Sequence, residues 1–525
     1  MNHKLIIFLS IFFLSCNDQY DNEDLSIFKY NESSGVYTLD PAFSKDQATV
    51  NIANQIFNGL VQLDNNQNVT PSISKKWNIS DDNLTYTFSL RNDVYFHDHR
   101  LFPFGKGRKV VASDFEYSLN RLIDFKIASP GAWVLSNVDT FYAVNDSIFT
   151  IKIKKPFPGF LSLLAMKYCS VVPKEIVENG NFHNHPVGTG PFKFQLWVNG
   201  IKLVLRKNNN YFESYNGEKL PFLDAISITF IKDKQSAFLQ FIKGNLDYLS
   251  GIDPSYKDEL ITNTGLLNEK YSSQIKLISS PYLNTEYLGF LMNKDSIPIE
   301  IRKAINYGFN RTEMIKYLRN SIGTPATKGI IPPGLPSFNI DINGYDYDLN
   351  KAKLLLQNSD FKKEKTILLS TTSSYLDLCE YIQSSLNNLG LNIVIDVNPP
   401  STHRQMVATS NLSFFRGSWI ADYPDGENYL SLFYSENFTP GGPNYTHFSN
   451  KEYDILYQTA LSEEKDSVRY QIYNKMDQII LNHAVIVPLY YDQVLCFLQK
   501  NITGFKVNSL NLLELKKVSK INISK

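Results

Sequence analysis

Hydrophobic and polar positions along this chain follow two rhythms, and the rhythm switches repeatedly from one end to the other. The segment 84–90, Leu-Thr-Tyr-Thr-Phe-Ser-Leu, alternates and is rich in β-branched and aromatic side chains, which predicts a half-buried strand. Residues 149–153 repeat that pattern until Pro156 and Pro158 stop it. Asp40-Pro41 is read as closing a short strand. Val50, Ala53, Ile56, Phe57 and Leu60 instead recur at helical spacing, predicting a helix over 48–60. Ser113 followed by Glu116 has the form of a capping box and predicts a second helix, whose apolar face runs through Leu119, Leu122 and Ile123. A Gly188-Thr-Gly-Pro191 turn leads into predicted strands at 192–196, 201–205 and 225–231. A helix over 236–243 then ends at Gly244, a left-handed C-cap. Beyond residue 280 the pattern predicts strands at 287–292 and 393–397, and helices at 299–307, 349–357 and 374–389, the last closed by Gly390. Alternation this dense predicts α/β lobes built around mixed sheets.

Length changes the picture first. A chain of 525 residues exceeds one hydrophobic core, and roughly 100–200 residues per domain predicts two to four domains. Lys+Arg and Asp+Glu are both 52, so no net charge attracts nucleic acid or an anionic membrane. Hydrophobic residues at 43% and charged residues at 20% exclude disorder and coiled coil. Aromatics reach 13%, a composition suited to core and to walls that grip amphipathic ligands. Four cysteines exclude a disulfide scaffold.

The N-terminus sets the compartment. Lys4 precedes a short apolar run over 5–14 that ends at Ser15-Cys16. As a helix that run spans about 15 Å, half a bilayer core, so it predicts a secretory signal rather than an anchor. A cysteine directly after Leu-Ser resembles a bacterial lipobox, which makes Cys16 the expected lipidation site and 1–16 the signal. The polar, acidic stretch after it, to about residue 26, reads as a tether. No later run reaches about 18 apolar residues, so lipid is the only expected membrane contact. The expected location is extracytoplasmic, on the periplasmic side of the membrane, with cell-surface exposure open. Cys169, Cys379 and Cys496 are expected as buried thiols, with a disulfide between two of them left open.

Several motifs, in order, carry a family resemblance. They are Leu39-Asp-Pro-Ala42, Gln55-Ile-Phe-Asn-Gly-Leu-Val61, the segment 84–98 ending Phe96-His97-Asp98, and Val111-Ala-Ser-Asp-Phe-Glu116. Val187-Gly-Thr-Gly-Pro-Phe192, Ile301-Arg-Lys-Ala304, Ile330-Ile-Pro-Pro-Gly334 and Gly417-Ser-Trp-Ile-Ala-Asp422 follow. Across nearly the whole mature chain this resembles the family 5 solute-binding proteins of oligopeptide, dipeptide and nickel ABC importers. The resemblance implies an α/β, two-lobed periplasmic-binding-protein clamshell of type II-like form, in the large peptide-binding cluster, with an additional small domain. Lobe I would comprise 27–64, 187–280 and 488–525, the small domain 65–186, and lobe II 281–487. It also implies an ABC permease and ATPases as partners and a monomeric receptor without cofactor or catalysis. Short peptides would be caught between the lobes through their main chain, with charged ends met by opposite charges.

Matched position by position, the resemblance implies that Asp422 pairs with a peptide α-amino group and that Arg416 faces its carboxylate end. Trp419 would wall a pocket, and Gly417 and Ser418 would lend main chain to the ligand. Trp133 is a candidate cleft residue from the small domain. Two departures stand out: the stretch 373–377 lacks a His that some oligopeptide binders carry, and Asp98 is followed by His99-Arg100 and an insertion over 101–109. The nearest alternative is a nickel or metal-chelate receptor, for which His97 and His99, or the second His-x-His pair His183 and His185, each spaced i and i+2, would be the ligands. A surface lipoprotein with a non-transport binding role is a further alternative. An enzyme is not expected, because no Gly-x-Ser-x-Gly, His-Glu-x-x-His or phosphate-loop signature occurs.

Overall fold

In the computed structural model, residues 25–253, 255–292, 297–359, 361 and 365–521 are described. Cys16 and the signal and tether preceding residue 25 lie outside them. One large mixed sheet organises the chain. Its strands run in the order Asn392–Val397, Thr366–Thr371, Phe414–Ile420, Ile275–Phe290, Ile486–Gln499, Tyr248–Ser250, Ile27–Asn31, Ala225–Thr229, Lys202–Lys207 and Phe192–Val198. Thr324–Pro325 adds to the side of Ile486–Gln499.

The two central strands are long because they serve two cores. At one end Ile275, Leu495 and Phe497 pack with Phe238, Phe241 and Leu260. At the other, Leu288, Phe290, Val487 and Leu489 pack with Ile301, Ile305 and Ile382. Between those ends their antiparallel register breaks: Pro281 pairs with Gln493, but the next pair is Thr285 with Tyr491. Three residues therefore oppose one, a bulge that bends the strand and raises its local twist. Leu283 turns elsewhere, its N–H donating to Ser509 and its carbonyl accepting from Ala421, at 2.9 and 2.8 Å.

A separate antiparallel sheet holds Ser74–Ile79, Thr85–Leu90, Ile148–Ile153 and Val138–Asn145. Its alternation places Tyr86, Phe88 and Leu90 inward, under the helix Ala112–Ile123. This apolar layer is continuous with Phe28 and Leu205 of the large sheet and with Ile56 of the helix Gln47–Ile56.

Most predicted elements form where the pattern put them, and three differ. The first helix is Gln47–Ile56, ending four residues earlier than predicted, because Gly190 N–H takes the Ile56 carbonyl at 2.7 Å and Phe57 turns extended. The second helix starts at Ala112, capped not by Ser113 and Glu116 but by the Asp114 carboxylate, which accepts from Val111 N–H at 2.9 Å. Asp40 closes no strand; it caps a helical turn, Pro41–Phe43, and is ion-paired to Arg121 at 2.6 Å. Cys169, Cys379 and Cys496 are buried free thiols. No helix among the described residues is long and apolar enough to cross a membrane.

Candidate functional site

Two adjoining cavities, of about 490 and 270 Å³, share Asp46 and Gln47 in their walls. The larger is walled by 31–35, with Tyr37, Tyr248 and Tyr256. The smaller lies where four separate stretches meet: 44–47, Trp133 with 165–168, 420–422, and Leu510 with Leu512.

Asp422 follows the strand Phe414–Ile420 and is held by a buried amide. Asn428 Oδ1 accepts both from Asp422 N–H at 3.2 Å and from Trp419 Nε1 at 2.8 Å. The main chain is thereby fixed while the carboxyl group opens into the smaller cavity. No described residue forms an ion pair with it, and the desolvating walls raise its pKa, a rise that Asn428 opposes. Trp133, 41% exposed on the turn Ala132–Leu135, lines the same cavity, so the structure brings these two candidates together.

The other candidates on that strand lie elsewhere. Trp419 is in the wall of neither cavity; it packs against the core containing Leu283, Tyr287 and Tyr429. Arg416 is also absent from both walls. Its guanidinium donates to Glu286 and stacks on the Tyr375 ring at 3.4 Å. Asn284 bridges Glu286 at 3.2 Å and Asp492 at 3.4 Å, and Arg319 pairs with Asp492 at 2.8 Å. This network sits at the register break. Burial pushes the Glu286 pKa up and Arg416 pulls it back.

The strand's main chain is the more informative part. Hydrogen bonds Ala421 N–H to Leu283 and Leu291 N–H to Ser413, at 2.8 and 2.9 Å, fix the phase of its ladder with Ile275–Phe290. In an antiparallel ladder bonded residues alternate, so Gly417 and Trp419 spend their N–H and carbonyl groups on that neighbour. Arg416, Ser418 and Ile420 turn theirs to the opposite edge. There Thr366–Thr371 reaches only Phe415, and His403 Nε2 donates to the Arg416 carbonyl at 2.8 Å. Ser418, not Gly417, presents main chain at an open strand edge among the described residues.

His97 sits inside the fold and lines neither cavity. It is buried, Nε2 donates to the Gly190 carbonyl at 2.9 Å, and Nδ1 accepts from Gly188 N–H at 3.4 Å. Both ring nitrogens are used, and burial lowers its pKa to about 4. The Gly188-Thr-Gly-Pro191 motif is thus a packing knot: a Cβ at Gly188 would lie 2.1 Å from the Ile56 carbonyl oxygen. His99 Nδ1 accepts from Leu101 N–H at 3.3 Å. No group of three or more metal-ligating side chains occurs among the described residues.

Three residues lining or backing these cavities are not singled out by the sequence motifs. Glu32, whose pKa burial raises, lines the larger cavity without an ion pair. Asn428 anchors Asp422, and nothing in the sequence marks it. Lys167 lines the smaller cavity, and it had a signal: it is the one charge in the apolar run 160–172.

Comparison with known proteins agrees with this architecture. The family described as "Bacterial extracellular solute-binding proteins, family 5 Middle" matches residues 68–440. A glutathione-binding protein, GsiB of Salmonella choleraesuis, is 26% identical over 488 residues, covering 90% of each chain. Among solved structures, HbpA2 of Haemophilus parasuis superposes with a TM-score of 0.83 at 21% identity, covering 94% of this chain and all of that one (100%). The periplasmic binding protein DppA of Helicobacter pylori, in complex with the peptide STSA, gives a TM-score of 0.76 at 24% identity, covering 94% and 98%. The two-lobed α/β fold follows from these matches.

Proposed function

The chain belongs to the bacterial extracellular solute-binding proteins of family 5, the receptors of ABC importers, and from that premise we propose that it captures short peptides. The observation that carries this reading is the pairing of a carboxylate that meets no cation with an open strand edge. Asp422 offers a charge to a peptide's α-amino group, and four residues earlier Ser418 offers an N–H and a carbonyl to its main chain. Main-chain hydrogen bonds hold an extended peptide without reading its side chains, and a charge-assisted bond fixes its end. Trp133 covers the ligand from the small domain.

The lobes in this reading are 27–64 with 187–280 and 488–525, and 281–487, with 65–186 as the added domain. Closure bends the two long strands at the Pro281–Thr285 register break, the place where they hold no common ladder. Cys16 carries the lipid, and the receptor works as a monomer that delivers its ligand to a permease and ATPases. A metal-chelate role through His97 and His99 is set aside, since His97 has no free nitrogen. Calorimetry of tri- and tetrapeptides against their N-acetylated forms tests the proposal. Binding that acetylation abolishes or weakens by tenfold or more supports it; no binding of any free peptide overturns it.

A further inference from the structure

Lys167 is the cation of the smaller cavity that the protein leaves unanswered. It opens the helical turn Lys167–Cys169 and lines both the cleft cavity containing Asp422 and a polar chamber of about 50 Å³ behind it. In that chamber Lys516 takes Glu213 at 2.7 Å and Glu514 at 3.3 Å. Those carboxylates act on Lys167 only at longer range, so its three N–H donors give no hydrogen bond to any described residue and its ammonium forms no ion pair with one. Burial, reinforced by Lys516, lowers its pKa to about 8.

The other charges on the cavity wall do not answer it. Asp46 is spent on the helix start, accepting from Thr49 N–H at 2.9 Å and from its hydroxyl at 3.2 Å. Lys45 is an exposed cation, and Asp422 makes no ion pair with Lys167. Lys167 is half-buried, and an ammonium that faces a cavity with no acceptor among the described residues suits an anion that arrives with the ligand.

We propose that Lys167 receives a carboxylate of the ligand, so that the cleft selects short peptides whose carboxylate enters the same chamber as their free amine. This rests on the peptide reading above. The carboxylate can come from the C-terminus of a dipeptide or from an acidic side chain, and the experiment separates the two. The full chain, as wild type, Lys167→Met and Lys167→Arg, is titrated calorimetrically with Ala-Ala and Ala-Ala-amide, and with Glu-Ala-Ala-Ala and Gln-Ala-Ala-Ala. In the wild type one of the two acid forms binds about ten- to a hundredfold more tightly than its neutral partner. Lys167→Met removes that preference while neutral ligands change by less than about threefold, and Lys167→Arg, which keeps the charge and the fold, retains most of it. A wild type that binds peptides with no acid preference, or a preference that survives in Lys167→Met, overturns this inference and leaves the peptide reading standing. Absence of all peptide binding overturns both.

Discussion

Arg416 and Asp422 stand six residues apart on one strand and its exit turn, and the protein treats them oppositely. Arg416 is 13% exposed at the side chain and is met by Glu286, itself 3% exposed, with an aromatic ring against its face. Asp422 meets no cation and opens into a cavity, opposite an equally unmet Lys167. Both are charges partly withdrawn from water. The difference is that one pair is closed within the fold, where it fixes how strands cross between two cores. The other pair is left open, and an open charge in a cavity has affinity to give to something else.

Breaking the closed pair has the largest expected effect. Arg416→Ala strands Glu286 and lowers stability by roughly 3–5 kcal/mol, read from urea unfolding, whereas a double replacement of Arg416 and Glu286 by Met is close to neutral. A loss confined to ligand carboxylate recognition, with stability intact, would move Arg416 into the open class. A third kind of charge sharpens the contrast. Glu427, buried beneath the Asp422 turn, accepts from Tyr423 and Tyr457, and burial pushes its pKa up to about 7. Because that value lies above the unfolded one, its contribution to stability is full at low pH and is lost as pH rises from about 4.5 through 7. Glu427→Gln therefore flattens the stability profile across that window by about 2–3 kcal/mol relative to the wild type, measured by unfolding at pH 5 and 8. The smallest effect tests the open edge. Ser418→Pro removes one N–H that faces away from the neighbouring strand, so peptide affinity falls about fivefold with little change in melting temperature. Unfolding instead would mean that the N–H belongs to the ladder.

The same contrast explains what was legible in the sequence. The helices at 299–307 and 349–357 form at the predicted bounds, because local periodicity and caps decide them. Gly244 and Gly390 take the predicted left-handed conformation, with φ of +76° and +97°. The misread ends were decided by distant partners. Arg108 grips Asp114 with two hydrogen bonds, at 2.9 and 2.7 Å, and turns it rather than Ser113 into the cap. Glu116, predicted to close the box, accepts from Ala143 N–H at 3.0 Å across the small sheet. Asp422 is singled out by family resemblance alone, since nothing local distinguishes it from Asp425, which the fold commits to Tyr473 and Arg469. Ser418 rather than Gly417 at the open edge needed ladder phase, which no pattern of side chains records.

The most direct test of the open charge is a cycle between ligand and residue. The wild type and Asp422→Asn are titrated calorimetrically with one peptide in free and N-acetylated forms. The account predicts that acetylation costs the wild type tenfold or more, that Asp422→Asn binds the free peptide as weakly as the wild type binds the acetylated one, and that acetylation then changes little further. Equal losses for both peptides on Asp422→Asn, with the wild-type difference preserved, would contradict it.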